Sequence, residues 1–165
     1  LAAGGATLAL QPTKLVVPPG ELKCLSVQEY SILFAMAEIL LPPTEPFPAA
    51  SELQIAFVVD GVLAKAHPGV QSEMKQVLGL IENAATGTLF DGNPRPFSRS
   101  PKSTQHKIVE RWRTSNLHVR RTAFKAVAGL CNGAYYASKE SYQLVGYPGP
   151  PEHLLAIVSA LQEKE

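Results

Sequence analysis

Long apolar runs, a surplus of one charge and paired cysteines are all missing from this chain of 165 residues. No stretch reaches the ~18 consecutive apolar residues that a membrane span needs. Fifteen Lys and Arg face fourteen Asp and Glu, a net +1, so the total charge carries no footprint for nucleic acid. Cys24 and Cys131 are too few for a disulfide scaffold and have no C-x-x-C spacing. Three states stay open for them: buried thiols, an intrachain bridge, or a bridge to another chain in an oxidising compartment. Cys131 falls at helical spacing with apolar residues, which favours burial; Cys24 lies in an extended approach segment and is freer to reach a partner. Catalytic signatures are missing too. There is no G-x-S-x-G, no G-x-x-x-x-G-K-[ST], no G-x-G-x-x-G and no H-E-x-x-H. The four histidines never stand three or four apart, and none has a carboxylate three residues away, so no helix presents a His–His pair or a Glu-x-x-His pair.

What is present describes a folded domain. Hydrophobic residues make up 45% of the chain and the mean hydropathy is +0.03, too apolar for a disordered polymer. The 14 Pro and 12 Gly are clumped, and so punctuate the chain rather than loosen it. Residues 1–10 (LAAGGATLAL) carry no charge and read either as the end of an export signal or as a loose arm. Pro12, Pro18, Pro19 and Gly20 make the following stretch extended rather than helical.

Ser26-Val27-Gln28-Glu29 has the form of a capping box, followed by helical spacing at Val27, Tyr30, Leu33, Phe34, Ala37 and Leu41 until Pro42-Pro43. The proline-rich link 42–48 leads to a second helix within 49–66, ending near His67-Pro68-Gly69. A third spans about 70–89, with Val70, Met74, Val77, Leu78, Ile81 and Ala85 on one face. Ser100-Pro101 reads as a cap followed by Pro at the first helical position, opening a helix to Thr114. Leu117, Phe124, Val127, Ala128, Cys131 and Tyr135 mark a fifth helix, and Leu154, Leu155, Ile157, Val158 and Leu161 a short last one over 152–161. The expectation is all-α: an irregular bundle of about five to six helices, with extended proline-rich arms that wrap a partner. Residues 1–24 form the signal remnant and arm, and 25–165 a single helical domain.

Tyr135, Tyr136, Tyr142 and Tyr147 crowd together, interleaved with Gly133, Gly146 and Gly149. Tyrosines suit interfaces because each joins a large apolar body to a hydrogen-bonding tip; they suit the cap of the chain's own bundle equally well. Trp112 between Arg111 and Arg113 reads as a core residue or as an anchor. Arg120-Arg121 is a solvated face or an inter-chain anchor.

Leu25-Ser26-Val27-Gln28-Glu29-Tyr30 and Ala35-Met36-Ala37-Glu38-Ile39-Leu40-Leu41-Pro42 resemble the opening signature of the gluconate 2-dehydrogenase subunit 3 family. Phe97-Ser98, Trp112, Arg120-Arg121, Phe124-Lys125, Tyr135-Tyr136 and the run 146–151 are similar to the helical N-terminal extension of long-chain alcohol oxidases. The resemblance implies a non-catalytic small subunit of a periplasmic, GMC-type (glucose–methanol–choline) flavoprotein dehydrogenase or oxidase acting on alcohols or sugars. It implies FAD in the partner and no cofactor in this chain, a cytochrome c or other electron acceptor, and joint export by the twin-arginine route. It supplies no catalytic residues. Cys24, Trp112, Arg120, Arg121, Tyr135, Tyr136, Tyr142, Gly146, Tyr147, Pro148, Gly149 and Pro150 are the candidates for the partner interface. Two other classes compete: a stand-alone helical ligand-binding or scaffold protein, and an enzyme with a Cys or His site that no motif reveals.

Overall fold

The computed structural model describes residues 13–83, 95–149 and 151. Among these the regular elements are α1 (Val27–Leu40), α2 (Ile55–Ala64), α3 (Pro68–Glu82), a 3-10 turn (Phe97–Arg99), α4 (Lys102–Arg113), α5 (His118–Ala137) and α6 (Lys139–Tyr142). No strand occurs among the described residues beyond an isolated bridge between Thr44 and Phe47. The all-α expectation holds. The expected helix at 152–161 lies outside the described residues, whereas the single turn α6 was not foreseen.

The start of α1 follows its sequence. The Ser26 hydroxyl accepts the Glu29 amide at 3.2 Å, and the Glu29 carboxylate accepts the Ser26 amide at 2.8 Å, so both halves of the capping box form. Beyond the cap, α1 is buried on nearly every side: Tyr30, Ser31, Ile32, Leu33, Met36, Ala37 and Ile39 are all inside. Helices α2, α3, α4 and α5 pack around it, which makes it the central element. Its interior neighbours include the fully buried Leu63, Leu78, Val127 and Cys131.

Three boundaries differ from the sequence reading, each for a local reason. Residues 49–54 form turns, and α2 begins only after Gln54, whose φ of +52° is left-handed and cannot continue a helix backwards. His67-Pro68-Gly69 opens α3 instead of closing α2: the His67 ring accepts the Gly69 amide at 3.1 Å and Pro68 takes the first helical position. At α4 the cap position is Pro101, because the Ser100 hydroxyl donates to the Pro96 carbonyl at 3.0 Å.

The proline-rich segments are bonded to the chain's own bundle. Residues 13–25 are extended, but they are strapped across their own bundle. The Lys14 amide donates to Ser98 Oγ at 2.9 Å and the Val16 amide to Ser31 Oγ at 2.8 Å. Farther along, the Asp60 carboxylate accepts three successive amides: Lys23 at 2.7 Å on Oδ2, and Cys24 at 3.1 Å and Leu25 at 2.7 Å on Oδ1. Asp60 is 1% exposed on the otherwise apolar α2. Three charge-assisted bonds offset the burial of its charge. The link 42–48 is tied down at its end, where the Tyr135 hydroxyl donates to the Pro48 carbonyl at 2.7 Å.

Two expectations follow from this packing. Asp60→Asn keeps the shape but turns an NH₂ towards an amide donor, so it lowers unfolding stability by about 3 kcal/mol. Chemical denaturation measures the loss, and hydrogen exchange localises it to the amides of residues 23–25. Cys131 lies fully buried, and burial pushes its thiol from 9.0 up to about 12. Above pH 9 the unfolded thiol releases its proton while the folded one keeps it. Stability therefore falls as pH rises, by up to about 1.4 kcal/mol per pH unit from this group. Denaturation of Cys131→Ala between pH 8 and about 10 should show a shallower decline than the parent chain.

Candidate partner interface

The residues singled out from the sequence divide between the interior and the surface. Trp112 is 3% exposed and Arg120 is 7% exposed, with the guanidinium carbon 4.8 Å from the Trp112 ring centroid. This cation–π stack joins α4 to α5 inside the molecule. Arg121 is half-buried and donates to the Ser115 carbonyl at 2.5 Å, bracing the loop between these helices. Tyr135 is buried at the end of α5 and meets the Tyr136 ring edge-on at 5.3 Å. Trp112, Arg120 and Tyr135 thus present little surface to a second chain; their packing is internal.

The tail of the tyrosine cluster is a self-supporting turn. The Gly146 amide donates to the Gln143 carbonyl and the Tyr147 amide to the Tyr142 carbonyl, at 3.1 and 3.0 Å, with Gly146 at φ +76°. This is the Schellman arrangement, in which the left-handed residue is normally glycine. Tyr147 packs edge-on against Tyr142 with ring centroids 5.6 Å apart. Gly149, at φ +103°, comes so close that an added Cβ would lie 3.1 Å from the Tyr142 hydroxyl. Tyr136 and Tyr147 remain about half exposed and Pro148 is exposed, while Pro150 lies outside the described residues.

Cys24 is half-buried with its amide held by Asp60, and both cysteines are free thiols. Burial raises the Cys24 thiol above its ordinary value, Asp60 and Glu29 adding to the effect and Lys75 opposing it. Neither thiol is activated as a nucleophile. Among the described residues no group of three or more His, Cys, Asp or Glu is placed to hold a metal ion, and no helix is long and apolar enough to cross a membrane.

The surface feature that the sequence reading missed is a groove between α3 and α5, about 450 Å³ in volume. Val70, Val77, Leu80, Val119 and Ala126 supply most of its apolar lining, with Glu73, Gln76, His118 and Thr122 among them. Val70 is 47% and Val119 60% exposed, high values for residues on helices that also carry core faces. The cause is geometric. Met74, Leu78 and Ile81 on α3 and Val127, Cys131 and Tyr135 on α5 turn inward. Each helix carries additional apolar residues outside that inward arc, and these remain uncovered. The signal was present in Val119, which falls out of phase with the buried stripe of α5.

The chain is thus an all-α body among its described residues, with an uncovered apolar groove between α3 and α5. The curated proteins and the solved structures yield no match to it. The sequence model described as gluconate 2-dehydrogenase subunit 3 matches residues 27–149, from the first turn of α1 to the glycine packed on Tyr142. That span covers most of the 165 residues, and the chain belongs to the gluconate 2-dehydrogenase subunit 3 family.

Proposed function

We propose that the chain is the non-catalytic small subunit of a heteromeric oxidoreductase, which stabilises and escorts a GMC-family, FAD-dependent alcohol or sugar dehydrogenase. The observation that carries this reading is the family match over 27–149, since the family is that of a subunit in a multi-subunit dehydrogenase. One structural feature supports it. The groove between α3 and α5 leaves apolar side chains in water that a subunit interface would cover. On this reading FAD and the chemistry belong to the larger subunit, with electrons leaving to a cytochrome c or another acceptor.

Export is the second part of the proposal. The uncharged stretch 1–10 suits the apolar region of a twin-arginine signal. A folded pair carried across the membrane together would place the complex in the periplasm.

The test is purification of the tagged chain from its native cells, followed by an absorbance scan and mass spectrometry of what accompanies it. The expected result is a stoichiometric larger subunit with flavin bands, which stay with that subunit when the two are separated. A single colourless chain overturns the reading. Deleting the small subunit should leave the flavoprotein in the cytoplasm or degraded; normal periplasmic flavoprotein without it would refute the escort role.

A further inference from the structure

The N-terminus of α4 is open where the sequence predicts a cap. Ser100 would ordinarily accept a first-turn amide, but its hydroxyl is turned to the Pro96 carbonyl, to which it donates at 3.0 Å. Pro101 takes the cap position and has no polar side chain to offer. The amides of Thr104 and Gln105 go to the Pro101 carbonyl, while those of Lys102 and Ser103 have no partner among the described residues. Helix α4 runs for 12 residues, so these two donors stand at the positive end of a substantial helix dipole.

That end forms one wall of a cleft of about 470 Å³, which shares no lining residue with the α3/α5 groove. The strap, α1 and the 3-10 turn supply the other walls. Lys14, Arg99 and Lys102 are exposed among its lining residues, and Val16, Phe34 and Ala35 add apolar surface. Among the described residues that line it, Glu38 is the one carboxylate, and its Oε1 accepts the Ser51 amide at 3.0 Å.

A second, independent feature lies in the same cleft. Gln105 is 3% exposed and is one of the lining residues. Its side-chain amide is a fork: Nε2 donates to the Phe97 carbonyl at 2.9 Å, and Oε1, the other prong, has no hydrogen-bond partner. Phe97 does not line the cleft, so Nε2 is turned away from it and Oε1 towards it. The three serines of the cleft cannot supply the missing proton. Ser31 Oγ donates to the Val27 carbonyl at 2.6 Å, Ser98 Oγ to Glu82 at 2.6 Å, and Ser100 Oγ to Pro96. Buried acceptors of this kind are paired in the great majority of cases, and here the donor has to come from a molecule in the cleft.

We propose that this cleft binds a small soluble phosphomonoester of a polyol. The phosphate meets the open end of α4, where the Lys102 and Ser103 amides and the Lys14 and Lys102 ammonium groups oppose its charge. A neighbouring hydroxyl donates to Gln105 Oε1, and the carbon chain lies against Val16, Phe34 and Ala35. A neutral polyol leaves the helix end unmatched, and a simple anion leaves Gln105 unmatched; the ester satisfies both. The site is independent of the accessory-subunit reading.

The experiment titrates the full chain with glycerol 3-phosphate, inorganic phosphate and glycerol, read by calorimetry and by amide NMR shifts. Glycerol 3-phosphate should saturate one site about tenfold or more tighter than phosphate, and glycerol should not bind. The shifts should centre on the Lys102 and Ser103 amides and the Gln105 side-chain amide. Lys102→Gln should weaken the ester by about tenfold, whereas Lys125→Gln, a charge loss elsewhere on the surface, should change nothing. Gln105→Met should lower the ester to the affinity of phosphate. Thermal melts establish that each variant folds; if Gln105→Met does not, the wild-type shifts decide. An absence of saturable binding, shifts centred elsewhere, or equal losses from Lys102→Gln and Lys125→Gln overturn the inference. Binding of phosphatidylglycerol vesicles without binding of the free ester assigns the cleft to a lipid headgroup and overturns it as well.

Discussion

A single carboxylate determines how the chain enters its own bundle. Asp60 stands one helix away from the residues it holds, yet it takes the amides of Lys23, Cys24 and Leu25 in succession. An extended segment has no ladder of its own, so its N–H groups need partners wherever the chain is buried. Asp60 supplies them at the point where the strap becomes α1. Leu25 is 5% exposed there, and the capping box of α1 begins at the next residue. The position of the central helix therefore depends on one buried charge in α2, and the other four long helices take their places around that helix.

The strap carries a second set of bonds that tie it to the opposite end of the molecule. Ser98 lies in the 3-10 turn and receives the Lys14 amide, while donating its own amide and hydroxyl to Glu82 at 2.9 and 2.6 Å. One serine thus connects strap, turn and the last residue of α3. Nearby, the Gln105 side chain donates to the Phe97 carbonyl at 2.9 Å, which sets the turn against α4.

How much of this could be read in advance depended on what each residue's neighbours in sequence reveal. The capping box at Ser26 was legible because both partners lie within one turn, and the helical periods of α3 and α5 were legible because each helix has one buried face. The central role of α1 was not. A helix buried on nearly all sides shows no single stripe, and its period marked only part of its interior. Asp60 was visible as a lone acid in phase with Ala56, Val59 and Leu63, but its partners lie far upstream and no local pattern names them. His67-Pro68 was read with the wrong polarity, since a proline ends one helix and begins another equally well. The tyrosine and glycine cluster reads in sequence as a partner surface or as a cap of the chain's own bundle, and only the structure shows that residues 142–147 form a turn closing on itself. The groove between α3 and α5 went unseen because it exists only where two helices meet.

The Asp60 contact also orders events in time. The amides it accepts belong to residues 35 to 37 positions earlier in the chain. A growing polypeptide emerges from its N-terminus, so the strap is made well before the carboxylate that secures it. Until α2 has formed and packed, the three consecutive amides of residues 23–25 lack this acceptor and remain solvated. The entry of the strap into α1 is consequently fixed only in molecules whose second helix has already found its place.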